Sequence, residues 1–106
     1  MNDLKLKLLA MLLSIPNITH KEYPNRDDGF SGLLFKGKEF AHFHQFHELD
    51  LWLGKALIKQ EGLSHFPDSI NHPKRAKSSP YIELRFNSEA DPSEIVRLVE
   101  LSLADR

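Results

Sequence analysis

Two short segments in which every second residue is apolar constrain the fold of this chain most strongly. In 48–53 the alternate residues are all leucine, and in 81–86 they are Ile82, Leu84 and Phe86. Successive side chains of a β-strand project to opposite faces of the sheet, so strict alternation predicts strands with one apolar face. An apolar sheet face must be covered by other elements, which the rest of the sequence has to supply.

Helical periodicity predicts three elements that can cover such a sheet. The first helix has apolar residues at spacings of three and four, namely Leu4, Leu8, Met11, Leu12 and Ile15. The second runs over 54–61, and Gly62 stands where a C-cap glycine is expected. In the third we expect Asp91 as the N-cap, Pro92 at the first helical position and Glu94 as the partner in a capping box.

The remaining strands are shorter and are joined by turns. An edge strand is predicted over 18–23, and the runs 33–36 and 39–46 flank Gly37 as the two arms of a β-hairpin. Because short turns join neighbouring strands, we expect an α+β fold: a mainly antiparallel sheet of four or five strands with three helices, mostly on one face. The length of 106 residues suits a single domain over 1–106.

Composition and charge exclude several classes of function. Lys and Arg number 14 and Asp and Glu 15, so the net charge of −1 gives no overall attraction to nucleic acid. The one basic cluster, 74–77, is predicted to be a solvated loop. The chain has no cysteine, which excludes disulfides, thiol catalysis and cysteine-based zinc sites. No apolar run reaches the roughly 18 residues of a membrane span and no signal peptide is recognisable, so we expect no membrane partner and a cytoplasmic location.

Two histidines in the predicted hairpin are the strongest candidates for chemistry. His42 and His44 are two residues apart in a strand, so both imidazoles leave the same face. A third ligand would complete a site for a divalent metal such as Zn, Fe, Ni or Cu; His72 is the first candidate, and Asp50 and His47 are the alternatives. Two other interpretations stay open: a metal-free site in which an imidazole acts as acid or base, and histidines hydrogen-bonded to their neighbours. No other cofactor is evident, and no catalytic residue is assigned.

The alternation also predicts a mixed polar and aromatic surface. If the leucines of 48–53 face the helices, seven residues share the opposite face, which we call the histidine face: His42, His44, Asp50, Trp52, Tyr81, Glu83 and Arg85. Phe40 and Phe46 are expected there too. Such a mixture suits a small ligand or a partner, with Arg85 anchoring a carboxylate or phosphate. The alternatives are solvated cross-strand pairs, Arg85 paired with Asp50 or Glu83, and Trp52 as a packing residue.

The order of these segments resembles the "luciferase"-domain family. Members have a hairpin followed by Glu, two small or apolar residues and His-apolar-His, to which 32–44 is similar; 49–51, the strand 81–86 and the helix start 88–91 match as well. The similarity runs from about Ile18 to the C-terminus. It implies a small α+β protein with no assigned reaction, and the family name does not establish light emission. Between 64 and 80 the chain departs from the family pattern, since 67–69 is out of register with a Leu-Pro-Asp-Ser-Gly motif.

These observations leave three hypotheses for the function. The first is a non-enzymatic module that binds a small molecule or a protein through the face around His42, His44 and Arg85. The second is a small enzyme or metal-binding protein that uses His42 and His44 with Asp50 or His72. The third is a structural subunit that forms a homodimer through its exposed sheet face. No Gly-x-Ser-x-Gly elbow, phosphate-binding glycine-rich loop, dinucleotide fingerprint or His-Glu-x-x-His motif points to another reaction.

Overall fold

The fold is a five-stranded antiparallel sheet with three helices, seen in a computed structural model that describes residues 3–26, 29–44, 47–64 and 79–104. The elements are α1 (Asp3–Leu13), β1 (Ile18–Glu22), β2 (Ser31–Phe35), β3 (Lys38–His44), β4 (Glu48–Trp52), α2 (Lys55–Gln60), β5 (Tyr81–Arg85) and α3 (Asp91–Leu103). The strands lie in the sheet in sequence order, and each pairs antiparallel with its neighbours. The predicted α+β class is therefore confirmed.

One face of the sheet packs against the helices. Across β3, β4 and β5 the register aligns Ala41, Leu51 and Ile82 in one row, and these side chains are at most 1% exposed. The helices contribute to the same core with Leu8, Leu12, Ile58, Ile95, Leu98, Val99 and Leu103. Helix α1 also packs against α3. The leucines of the alternating segments therefore face the helices as predicted, and the histidine face is the opposite side of the sheet.

A two-residue turn joins β2 to β3. Lys36 and Gly37 have φ angles of 53° and 84°, and two consecutive positive φ angles are typical of the type I′ turn, whose twist matches that of a hairpin. The N–H of Lys36 donates to the carbonyl of Asn17 at 3.0 Å, which joins the turn to the residue before β1. This turn sets the register of β3 and hence the position of His42 and His44.

The sequence predicted how α2 ends and how α3 begins, and the structure confirms only the first. Helix α2 ends in a Schellman motif, in which Gly62 has φ 69° and the N–H of Leu63 donates to the carbonyl of Ile58 at 3.0 Å, as the sequence indicates. The predicted capping of α3 is wrong, because Ala90 occupies the N-cap without a side-chain hydrogen bond. Asp91 is the first helical residue.

The carboxylate of Asp91 points back along the chain. It accepts the backbone N–H groups of Asn87 at 2.7 Å and Ser88 at 3.0 Å. The N–H of Asn87 is the main reason that the pKa of Asp91 lies below its usual value. Glu94 pairs with Arg97 one turn further on and takes no part in capping.

Some predictions fall on residues outside the described ranges. These are Phe46, His72, the segment 67–69 and the basic cluster 74–77. Among the helices that the structure describes, none has the length and hydropathy required to cross a bilayer.

Candidate functional site

The strand register brings together the residues expected on the histidine face. Residues opposite each other in neighbouring strands project to the same side of the sheet. His42 lies opposite Asp50, and Asp50 lies opposite Glu83. The flanking rows on this side of the sheet are His44, Glu48 and Arg85 at one end, and Trp52 and Tyr81 at the other. All seven predicted residues therefore share one face.

Three carboxylates on this face are buried. Asp50, Glu83 and Glu48 are 1%, 3% and 5% exposed. Burying a charged group is costly unless other groups compensate for its lost hydration, and two like charges directly opposite each other add repulsion. The alternative of solvated cross-strand pairs is therefore wrong for this part of the sheet. Buried ionisable groups concentrated on one face are typical of a functional site.

His42 lies between two carboxylates. Its Nε2 is 3.2 Å from Oδ2 of Asp50, and its Nδ1 is 3.4 Å from Oε1 of Glu39. Only 17% of the His42 side chain is exposed, and Nδ1 is buried without a hydrogen-bond partner. A buried imidazole nitrogen that lacks a well-aligned partner is unusual in a folded protein and requires a reason.

A β-bulge explains why Glu39 reaches this site. The pairing of β2 with β3 shifts after Leu33, which lies opposite Ala41, whereas Leu34 lies opposite Glu39. Phe40 is the extra residue; it is 1% exposed and belongs to the apolar core. The expectation that Phe40 lies on the histidine face is thus wrong, because a bulge interrupts the alternation of side chains.

The glycine opposite His42 gives the Glu39 carboxylate its space. Gly32 faces His42 across β2 and β3. A Cβ atom at this position would stand 3.2 Å from Oε2 of Glu39, closer than most carbon contacts. A side chain on residue 32 would therefore compete with Glu39 for the position beside His42.

The two histidines and Asp50 form a group that could hold a metal ion. One ligand atom from each of His42, His44 and Asp50 lies within 4.8 Å of the other two. The imidazole centroids are 4.6 Å apart and the rings are nearly perpendicular, at 85°. The ring of Phe30 packs against both, with centroid distances of 5.3 Å to His42 and 5.5 Å to His44.

Arg85 is held by carboxylates of the same face. Its Nε lies 3.5 Å from Oε1 of Glu48, and its Nη2 lies 3.5 Å from Oε1 of Glu83. The predicted pairing with Glu83 is confirmed. At 24% exposure the guanidinium remains within reach of solvent, as an anchor for an anion would have to be.

Trp52 lines a pocket at the other end of the histidine face. It is 39% exposed, so its interpretation as a packing residue is wrong. Together with its cross-strand neighbour Tyr81 it lines a cavity of about 580 Å³, whose other walls include Lys36, Lys38 and Glu39. Glu39 thus connects this cavity with His42, and the ring of Tyr81 lies 6.1 Å from that of His42.

The remaining candidates for a third metal ligand differ in position. His47 is half exposed and does not belong to the group of three, which consists of His42, His44 and Asp50. Its Nε2 lies 3.9 Å from Oε1 of Glu48. His72 lies outside the described residues.

Sequence reasoning missed Glu39 and Phe30, because neither a bulge nor the path of the segment before β2 can be read from an alternating pattern. The sequence signal for Glu39 was its place three residues before His42, where it matches the Glu of the family pattern.

Comparison with known proteins identifies one family. The family model described as Luciferase domain matches residues 37–102, which is more than half of the chain. The matched part contains β3, β4, α2, β5 and all of α3 except its last residue, and it includes His42, His44 and Asp50. Neither the curated proteins nor the solved structures give a match.

Proposed function

Since this chain belongs to the Luciferase domain family and the matched residues include the group of three, we propose that the domain binds a divalent transition-metal ion through His42, His44 and Asp50. The observation that carries the proposal is the approach of two imidazoles and one buried carboxylate to within 4.8 Å of one another. Two imidazoles and a carboxylate suit Zn²⁺ or Fe²⁺ and leave coordination positions open for water or a ligand.

The distances are compatible with such an ion after small adjustments. Bonds of about 2.0–2.2 Å to a tetrahedral ion separate its ligand atoms by roughly 3.4 Å. The 3.2 Å between Nε2 of His42 and Oδ2 of Asp50 is close to this value. The His44 nitrogen would have to approach the other two ligand atoms by up to about 1.4 Å, which a side-chain rotation can supply, since side chains on strands have several staggered rotamers.

Glu39 supports this arrangement from behind His42. A histidine that binds a metal through one nitrogen usually donates its other N–H to a carboxylate or carbonyl, which fixes the orientation of the ring. Glu39 Oε1, at 3.4 Å from Nδ1, stands where this acceptor is needed. A slight closure around an ion bound at Nε2 would satisfy the buried Nδ1 as well.

The test is metal binding by protein purified without a His-tag. We expect one Zn²⁺ per chain in elemental analysis and calorimetry, and visible absorption bands for the Co²⁺-loaded protein. The variants His44→Ala and Asp50→Asn should lose stoichiometric binding, and Glu39→Gln should bind about 10–100-fold more weakly.

A matched control and a stability measurement complete this test. His47→Gln removes a histidine outside the group and should retain full affinity. Zn²⁺ at 100 times its dissociation constant should raise the free energy of unfolding by about 2.7 kcal/mol in the wild type, and not in the two ligand variants. A protein that binds no Zn²⁺, Fe²⁺, Ni²⁺ or Co²⁺ and gains no stability from them would refute the proposal.

The cavity beside Trp52 and Tyr81 favours a second candidate, a metal-free site for a small molecule. Its volume of about 580 Å³ falls within the range of ligand pockets, and three aromatic residues and two lysines line it. Trp52 is the only tryptophan of the chain, so its fluorescence reports on this cavity directly. Quenching by a small organic anion in protein that binds no metal would favour this candidate.

A further inference from the structure

A second cavity lies at the edge of the sheet, between α1 and the segment that joins β1 to β2. Its volume is about 730 Å³, within the range of small-molecule sites. Its apolar walls are Leu6 and Leu9 of α1 together with Tyr23, Pro24 and Phe30. Leu6 is 53% exposed, so an apolar side chain remains at the rim. Aliphatic and aromatic walls with an apolar rim suit a hydrocarbon chain.

The charged residues around this cavity favour an anion. Among the described lining residues, Lys5 and Arg26 are cationic and Glu22 is anionic. Both cations are held in place: Nζ of Lys5 donates to the carbonyl of Gly29 at 2.8 Å, and the guanidinium carbon of Arg26 lies 4.1 Å from the centroid of the Phe30 ring. A planar guanidinium and an ammonium at one apolar cavity are suited to a carboxylate.

Two buried polar atoms in the cavity walls also require an explanation. Nε2 of His20 and Oγ of Ser31 are buried and have no hydrogen-bond partner, and both residues line the cavity. They project to the same side of the sheet, because Ser31 lies opposite Glu22, two residues beyond His20 on β1. Burial lowers the pKa of His20, which favours the neutral imidazole. Unsatisfied buried polar groups often mark the place of a ligand or a bound water.

We propose that this cavity binds an aliphatic carboxylate of medium chain length, with its hydrocarbon chain against Leu6 and Leu9 and its carboxylate near Lys5 and Arg26. The site is separate from the group of three. Phe30 forms the boundary between them, since its ring lines the cavity and packs against His42 and His44. An occupant of the cavity would therefore touch Phe30, which packs against both histidines, without contacting either histidine itself.

The test is titration with sodium decanoate below its micellar concentration, followed by calorimetry and by amide shifts in NMR spectra. We expect one decanoate per chain with a dissociation constant in the micromolar range, and shifts confined to α1, β1 and residues 23–26 and 29–31. Leu6→Asp should weaken binding at least tenfold. Leu13→Asp is the matched control, because Leu13 is an exposed leucine on the same helix that does not line the cavity, and binding should stay within twofold.

Separate variants and ligands test whether binding depends on charge. Lys5→Met and Arg26→Gln should each weaken decanoate binding several-fold, whereas Lys7→Met, which changes an exposed lysine of the same helix paired with Glu89, should not. Circular dichroism confirms that each variant is folded, and Arg26→Gln keeps the test valid if Lys5→Met unfolds. Decyltrimethylammonium and decanol should bind more weakly than decanoate. Equal binding of the cation, or equal losses in Leu6→Asp and Leu13→Asp, would refute the proposal, since either would mean adsorption to any apolar surface.

Discussion

At the scale of single residues, Gly32 and Glu39 decide what surrounds His42. The alternating pattern was sufficient to place His42, His44 and Asp50 on one face. Successive side chains of a strand project to opposite faces of the sheet, so the apolar residues that face the helices also fix the face of their polar neighbours. It was not sufficient to place Glu39 or Phe40, because one extra residue in β3 reverses the parity of everything before it. The missing side chain of residue 32 then leaves room for the Glu39 carboxylate.

The first prediction concerns the contact between these two residues. Gly32→Ala should lower the free energy of unfolding by about 0.5–1 kcal/mol, because the new methyl group displaces the Glu39 carboxylate. In a Glu39→Ala background the same change should be neutral or stabilising, since alanine is less costly than glycine inside a strand. Urea unfolding of the four proteins measures the coupling, which we expect to be about 0.5 kcal/mol or more. Strictly additive effects would mean that the carboxylate does not occupy this space.

At the scale of elements, the existence and type of each helix and strand could be predicted, and their ends less well. Apolar alternation, helical spacing and Gly37 were sufficient to predict β4, β5, α1 and the hairpin. The start of α3 could not be predicted, because an aspartate beside a proline serves equally well as an N-cap or as the first helical residue. Only the direction in which the Asp91 carboxylate points distinguishes these two cases.

The second prediction concerns the turn between β2 and β3. Lys36 has a left-handed conformation that costs a non-glycine residue about 1 kcal/mol, and asparagine adopts it more readily. Lys36→Asn should therefore raise the free energy of unfolding by about 0.5 kcal/mol. Lys38→Asn is the control: it removes the same charge in the adjoining strand, where asparagine is disfavoured, and should lower stability. Thermal unfolding of both variants provides the comparison, and a stabilising Lys38→Asn would contradict this explanation.

At the scale of the whole molecule, a helical layer covers one sheet face and ionisable groups are concentrated on the other. The sequence was sufficient to predict which face of the sheet is apolar and which carries ionisable groups, since each alternating strand separates its apolar from its polar residues. It was not sufficient for the burial of Glu48, Asp50 and Glu83, because burial depends on what lies above a surface and not on the strand itself. The exposed position of Trp52 could not be predicted for the same reason.

The third prediction concerns the dependence of stability on pH. Burial lowers the pKa of His20 below 6.5 in the folded protein; Glu22 opposes this shift and Lys5 adds to it. Just below pH 6.5 the unfolded chain therefore takes up a proton that the folded protein does not, and the free energy of unfolding decreases as the pH falls through this window. The loss ends once the pH passes the folded pKa. Urea unfolding at several pH values measures the slope.

A variant pair tests whether His20 causes this slope. His20→Gln should make it shallower, because glutamine does not titrate. Thr19→Gln, a neutral change on the same strand, should leave the slope as it is in the wild type. An unchanged slope in His20→Gln would assign the pH dependence to other groups.

The packing of α1 against α3 also affects how a nascent chain can fold. The hairpins of β1 to β4 join neighbours in sequence and can form early, because closing short loops costs little entropy. The helical layer above them needs α3, which is translated after every strand. The ribosome must therefore release nearly the whole domain before its interior can close, and until then the part of the apolar sheet face that α3 covers stays exposed.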